Sequence, residues 1–316
     1  MKLEMAPLEG LTTYIFRNAY AKYFGHMDKY YTPFLSLHKE KEFNHKERQE
    51  VLSENNKGLC VVPQVLTNSS EDFLRAARTL KELGYEEVNI NLGCPSGTVV
   101  PKGKGAGMLE EPKGLEQFLE KCFAKTPVKI SVKTRLGMDE EEEWERLLTI
   151  YNGFPLEELI VHARVREDYY QRPVRLEAFG KALLESKCPV CYNGDIFTVE
   201  DYERLTERFP DLKAVMLGRG ILRNPGLAEE IVNRVKIEEA TVGKEEYYTK
   251  LWAFHDEIYI GYQQIMSGDR NVLFKMKEFW SYLICSFPDK EKRLKELHKL
   301  KTCEEYESWL RMYKYH

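Results

Sequence analysis

The stretch Glu87–Gly97, EVNINLGCPSG, decides how this chain is read. Its first six residues form a short apolar run that carries two asparagines, Asn89 and Asn91, and it breaks at Gly93-Cys94-Pro95. Working outward in both directions, runs of the same kind recur at fairly regular spacing. They are Lys2–Met5, Lys29–Thr32, Leu59–Val65, Val128–Val132, Glu158–Val161, Val190–Tyr192 and Ala214–Leu217. Most are continuously apolar rather than alternating, as expected of parallel strands covered on both faces. Segments of helical period separate them; Asn68–Leu83, for example, opens NSSED and stops at Gly84. Eight strands alternating with helices predict a (β/α)8 barrel, with a doubly wound sheet as the alternative.

Past about Asn233 the strand pattern stops and four helices are predicted: Glu245–Met266, Asn271–Phe287, Lys290–Leu300 and Thr302–Tyr313. Leu251, Ile258 and Tyr262 fall at helical spacing and read as bundle core. Lys292, Arg293, Lys295, Lys299 and Lys301 read either as a phosphate-facing stripe or as a solvated helix face. Two domains are therefore expected, 1–236 and 241–316, in a chain of 316 residues. A net charge of −4 means that any nucleic acid would be met by a local basic patch. Seven scattered cysteines argue against a disulfide framework, and MKLEMAPLEG lacks a signal-peptide core, so a cytoplasmic protein without a membrane span is expected.

Barrel chemistry collects where strands end. Those positions hold Ala6-Pro7-Leu8-Glu9, Gln64, Asn91 with Cys94, Lys133-Thr134-Arg135, His162-Ala163-Arg164, Asn193-Gly194-Asp195 and Gly218-Arg219-Gly220. Gly218-Arg219-Gly220 lies where barrels commonly hold a phosphate, which backbone N–H groups and an arginine would bind. Lys133 needs an anion, either a carboxylate or negative charge developing on a cofactor; a Schiff-base aldolase would also want such a lysine. His162 is a core histidine or, with Lys133, part of a site. Cys94 sits in a loop rich in Gly, Pro and Lys that runs on to Lys102, Lys104 and Gly107. No activating base is evident beside it, which favours a protonated thiol acting as an acid over a nucleophile. Cys188-Pro-Val-Cys191 has no second pair at zinc spacing, and Asp139–Glu143 reads as an acidic helix start. No metal is expected.

MAPLEG, PQVL, NINLGCP, SVKTRLG, IVHAR, YNGDI and MLGRGILRNP, in that order from residue 5 to about 225, resemble the bacterial tRNA-dihydrouridine synthases. The resemblance implies FMN in the barrel mouth, NADPH as reductant and reduction of a uridine C5–C6 double bond in tRNA. It implies hydride from flavin N5 to C6 and a proton from Cys94 to C5. It places the cofactor against Pro7, Leu8, Glu9, Gln64, Lys133, His162, Asn193, Gly194, Asp195, Gly218 and Arg219, with Lys133 on the N1/O2 side. Asn91 and Arg135 would meet substrate or flavin, and Lys102, Lys104, Arg164, Arg166 and Arg172 would form a basic rim. The helical tail would bind tRNA, and the protein would be a monomer. Glu110-Glu111 and the EDYYQRP stretch depart from the family's commoner form. The competing reading is an FMN barrel reducing a small pyrimidine or an enone.

Overall fold

Every run predicted as a strand holds strand in the computed structural model, which describes residues 1–38, 42–234 and 243–314. The strands are β1 Lys2–Met5, β2 Lys29–Tyr31, β3 Val61–Val62, β4 Gln64–Val65, β5 Glu87–Leu92, β6 Lys129–Arg135, β7 Leu159–His162, β8 Val190–Asn193 and β9 Ala214–Leu217. There are nine because Pro63, with no N–H to donate, divides the third run into β3 and β4. All pair in parallel in the order β3-β2-β1-β9-β8-β7-β6-β5-β4. Since β3 and β4 are covalent neighbours through Pro63, the sheet rolls into a nearly closed ring. This is the expected (β/α)8 barrel rather than a doubly wound sheet.

Inside the ring, Ala6, Tyr31, Val62, Ile160, Cys191, Ala214 and Met216 pack as one buried cluster. Outside it, Val88, Ile90 and Leu92 are fully buried, which is why β5 reads as a continuous apolar run. Helix α3 (Ser70–Glu82) starts where predicted: the Ser69 hydroxyl accepts from the Asp72 N–H at 3.2 Å, and Gly84 ends it with φ +96°. Its buried face is Phe73, Leu74, Ala76, Ala77 and Leu80.

The barrel floor holds a titratable carboxyl group that the apolar pattern of β1 conceals. Glu4 is fully buried and neither of its carboxyl oxygens has a hydrogen-bond donor. An oxygen of Glu158 and the Cys191 sulfur lie within 4.8 Å of it, while Lys29 serves Glu87 at 3.1 Å and Glu158 at 3.4 Å. A carboxyl group so placed keeps its own proton. Burial pushes Glu4 up to about 8 from its ordinary 4.5, and the charge of Glu158 adds to the rise. The folded state therefore holds a proton that the unfolded chain releases above 4.5. Stability is full below that pH and falls as pH rises towards 8. Glu4→Gln is expected to flatten the decline in Tm between pH 5 and pH 8.5, by about 3–6 °C at the upper end. Parallel thermal scans of variant and wild type would contradict this.

The described residues group into two compact units, Met1–Gly10 with Asp28–Asp195 and Leu205–Leu217, and Leu11–Met27 with Ile196–Arg204 and Gly218–His316. The first holds the barrel. The second is helical: α1 (Tyr14–Tyr23), α10 (Gly243–Ile265), α11 (Asp269–Leu283), α12 (Lys290–Lys299) and α13 (Cys303–Lys314) closely follow the four predicted tail helices and add one from the N-terminal region. Within it, Phe254 meets Phe16, Tyr20 and Phe24 edge-on, at 5.5, 6.3 and 5.3 Å between ring centroids. Leu251, Ile258 and Tyr262 are buried, as expected of a bundle core. The expected break at 236–241 lies outside the described residues. Among those described, no helix is long and apolar enough to cross a membrane.

Candidate active site

The C-terminal ends of the barrel strands hold a connected polar network. Strand register sets Gln64 beside Asn89, Asn89 beside Ser131, and Asn91 beside Lys133. Along those pairings Asn89 donates to the Ser131 hydroxyl at 2.9 Å and Gln64 Nε2 donates to Asn89 Oδ1 at 2.8 Å. Asn91 Nδ2 donates to Gln64 Oε1 at 2.7 Å. The chain of amides ends on the cysteine loop: Asn91 Oδ1 accepts the N–H of Gly93 at 3.1 Å and of Cys94 at 2.9 Å. Asn91 thus fixes the turn that presents Cys94. One Nδ2 hydrogen remains for another partner.

Cys94 is packed from the far side by its own loop. The Ala106 N–H donates to the Cys94 carbonyl at 3.0 Å. Gly105, at φ +57°, comes so near that a Cβ there would lie 2.9 Å from the Cys94 oxygen, which only glycine escapes. Burial pushes the Cys94 thiol above its ordinary value. The Ser96 N–H, Arg135 and Lys133 pull the other way, and Glu9 adds to the rise. The net result is a thiol that keeps its proton at neutral pH, an acid and not a thiolate nucleophile. Lys102 is exposed and Lys104 half-buried on the same loop.

Lys133 stands on β6 next to Asn91, and among the described residues it has no ion-pair partner. Burial pulls its ammonium down to about 8, and the neighbouring Arg135 adds to that. The carboxylate alternative for Lys133 is thereby removed, while an anionic group brought by a ligand fits. One register step on, Arg135 pairs with His162 and His162 with Asn193. Asn193 donates to the Met216 carbonyl at 3.0 Å, and a Cβ on Gly194 would collide with the Tyr192 hydroxyl at 2.1 Å. Pro7 and Leu8 follow β1 half-buried, while Glu9 is exposed and 3.6 Å from Lys46.

One expectation changes. Arg164 is no rim residue: it is 1% exposed and forms a two-pronged ion pair with Asp195, its NH1 at 3.1 Å from Oδ1. The Asp195 carboxylate is committed to that pair. Gly218 and Arg219 belong to the second unit, where Arg219 opens a short helix, Arg219–Arg223, and lies 5.4 Å from the Phe197 ring.

The loop after β7, marked in the sequence only as a departure from the family's commoner form and a source of rim arginines, has a defined structure of its own. Asp168, 1% exposed, grips Arg175 through both oxygens at 3.0 and 3.1 Å and accepts the Val165 N–H. Burial raises its carboxyl, but these partners win and hold it below the ordinary value. The loop so folded presents Tyr170, 45% exposed, with its ring 5.8 Å from His162 and 5.2 Å from the Arg135 guanidinium. The available signal was the Tyr169-Tyr170 pair among arginines.

Residues 4–305 match the family model described as dihydrouridine synthase (Dus). Relatives include the tRNA-dihydrouridine(16) synthase of Aquipseudomonas alcaligenes, 25% identical with 98% of this chain and 99% of the relative covered. The proteins of the same name from Pseudomonas syringae pv. tomato and Cupriavidus necator are 29% and 30% identical, covering 76% and 73% of this chain and 77% and 73% of theirs. Among solved structures, a variant of NCR from Zymomonas mobilis superposes with TM-score 0.54 at 14% identity, over 74% of this chain and 87% of that one. Morphinone reductase in complex with tetrahydroNAD gives 0.52 at 12% identity, over 78% and 90%. These two show a shared fold.

Proposed function

The chain belongs to the dihydrouridine synthase family, and on that premise we propose that it reduces the C5–C6 double bond of a uridine in tRNA, with FMN as its flavin and NADPH as the reductant. The observation that carries this reading is Cys94: a largely buried thiol, its turn fixed by Asn91 and its acidity lowered by burial, at the strand ends that also hold an ammonium with no carboxylate partner among the described residues. Pro7, Leu8, Glu9, Gln64, Lys133, His162, Asn193, Gly194, Asp195, Gly218 and Arg219 would hold FMN. Bound FMN would supply the hydride for C6 of the uracil. Cys94 holds the proton for C5 and releases it as charge develops there. Lys133 supplies positive charge to the cofactor site, and Gln64, its carbonyl occupied by Asn91, has an Nε2 hydrogen free for a ring edge. Asn91 would meet the substrate base, while Arg135, fully buried, would act on it only through the loops it holds, with Lys102 and Lys104 on the rim.

A uridine must leave its stack to reach a barrel mouth, so the protein has to grip the surrounding RNA. Residues 1–236 are proposed as the catalytic domain and 241–316 as the tRNA-binding domain. Helix α12 supports this, because Lys292, Lys295 and Lys299 are exposed at the spacing of one helix face. Arg293 does not join them; it lies over the Tyr313 ring at 4.0 Å and near Phe287 at 5.1 Å. Reversing the three lysines to glutamate is expected to weaken tRNA binding at least about 10-fold at low salt and to flatten its salt dependence. Flavin content should not change. An unaltered binding isotherm would remove α12 from the interface.

Several relatives are named for uridine 16, and position 16 is the site we propose. The reading places the protein in the cytoplasm, acting as a monomer. Expression in a bacterial strain stripped of its own dihydrouridine synthases tests it. Dihydrouridine should return at position 16 of tRNA, and its return elsewhere would correct the position alone. No return, with a free pyrimidine or an enone reduced instead, would favour a small-molecule reductase.

A further inference from the structure

Two loops crowd the same end of the barrel, the Gly93–Gly97 turn that carries Cys94 and the Val165–Gln171 segment that carries Tyr170. Between them stands Arg135, the last residue of β6, with a fully buried side chain. Its Nε donates to the Gly93 carbonyl at 2.9 Å. Its NH1 donates to the Val165 carbonyl at 2.9 Å and to the Tyr169 carbonyl at 3.0 Å. Its guanidinium carbon also lies 5.2 Å from the centre of the Tyr170 ring. No carboxylate balances it among the described residues; the nearby Asp168 is taken by Arg175 and Asp195 by Arg164.

A buried, unbalanced guanidinium is costly, and its contacts are to main chain on two separate loops. Only an arginine has enough planar donors to reach three carbonyls at once; a lysine in its place would carry the charge but reach one or two. We propose that Arg135 is a positioning residue that ties the cysteine turn to the tyrosine segment, so that the acid and the aromatic face are set, and loosen, as one unit. The inference rests on the reading of Cys94 as proton donor, but the tie itself is a matter of backbone order.

The test is Arg135→Lys in the full-length, flavin-loaded protein. Amide hydrogen exchange should rise together in residues 93–97 and 165–171, with flavin content unchanged. The turnover number should fall about 10–100-fold while KM for tRNA stays within about threefold. In a Cys94→Ala background the same substitution should cost no more than about twofold, because its effect is exerted through the acid. Exchange that rises in one loop only, or losses that multiply in the double variant, would overturn the proposal. Wild-type activity in Cys94→Ala alone would instead sink the proton-donor reading and leave the exchange result standing. Should Arg135→Lys not fold, the wild-type protein still decides: the two segments should open with the same protection within about threefold, and independent opening would refute the tie.

Discussion

Cys94→Ala is expected to keep its flavin, to accept electrons from NADPH at the wild-type rate, and to form dihydrouridine about 100–10,000-fold more slowly. The size follows from what the thiol supplies: one proton, delivered in place, in a site where burial holds it above the ordinary thiol range. The selectivity follows from where the loop is anchored. The backbone of residues 93 and 94 hangs on Asn91 and Arg135, and neither bond uses the sulfur, so removing it leaves the turn intact. Transient flavin reduction and single-turnover oxidation by tRNA separate the two half-reactions. Loss confined to the second supports the acid role, whereas unimpaired oxidation by tRNA would end it.

Lys133→Met should do two opposite things. The folded protein holds this ammonium out of water, with no counter-charge among the described residues, and burial, with Arg135 adding to it, pulls it down to about 8 from 10.5. The folded state therefore binds its proton more weakly than the unfolded chain, and the penalty is complete below pH 8. It shrinks as pH rises from there to 10.5. At neutral pH that difference is on the order of 3 kcal/mol. Flavin-free Lys133→Met should thus melt roughly 5 °C above flavin-free wild type at pH 7, with the gap closing towards pH 10. The same variant should hold FMN at least about 10-fold more weakly, since an anionic ligand is what relieves the strain. Thermal melts with and without FMN, at both pH values, read both effects. A variant less stable than wild type without flavin, or one that binds it as tightly, would contradict the account.

Much of this was legible in local sequence. Parallel strands sheathed on both faces leave continuous apolar runs, and the polar residues that end them are conspicuous for that reason: Gln64, Asn91, Lys133 and His162 all stand at one end of one barrel. The tail helices were equally plain, because Gly268, at φ +76°, and Pro288 interrupt a clear 3.6-residue period. What escaped depends on partners distant in sequence. Arg164 looks like any basic loop residue until Asp195, 31 positions later, claims it. Arg293 looks like its lysine neighbours until Tyr313 covers it. Helix α1 gives no sign in its own sequence that its aromatic face belongs with Phe254, and for that reason cutting the chain at 241 would strip α1 rather than cleanly remove a binding domain. Glu4 sits inside an apolar run, and its proton becomes visible only once β1, β7 and β8 close around it.

The central claim is that this chain reduces a uridine within tRNA. Purified protein loaded with FMN, given NADPH and an unmodified tRNA transcript, should add two mass units to a single uridine-containing fragment spanning position 16. A transcript of unchanged mass, with NADPH consumed only by a free pyrimidine or an enone, would contradict it.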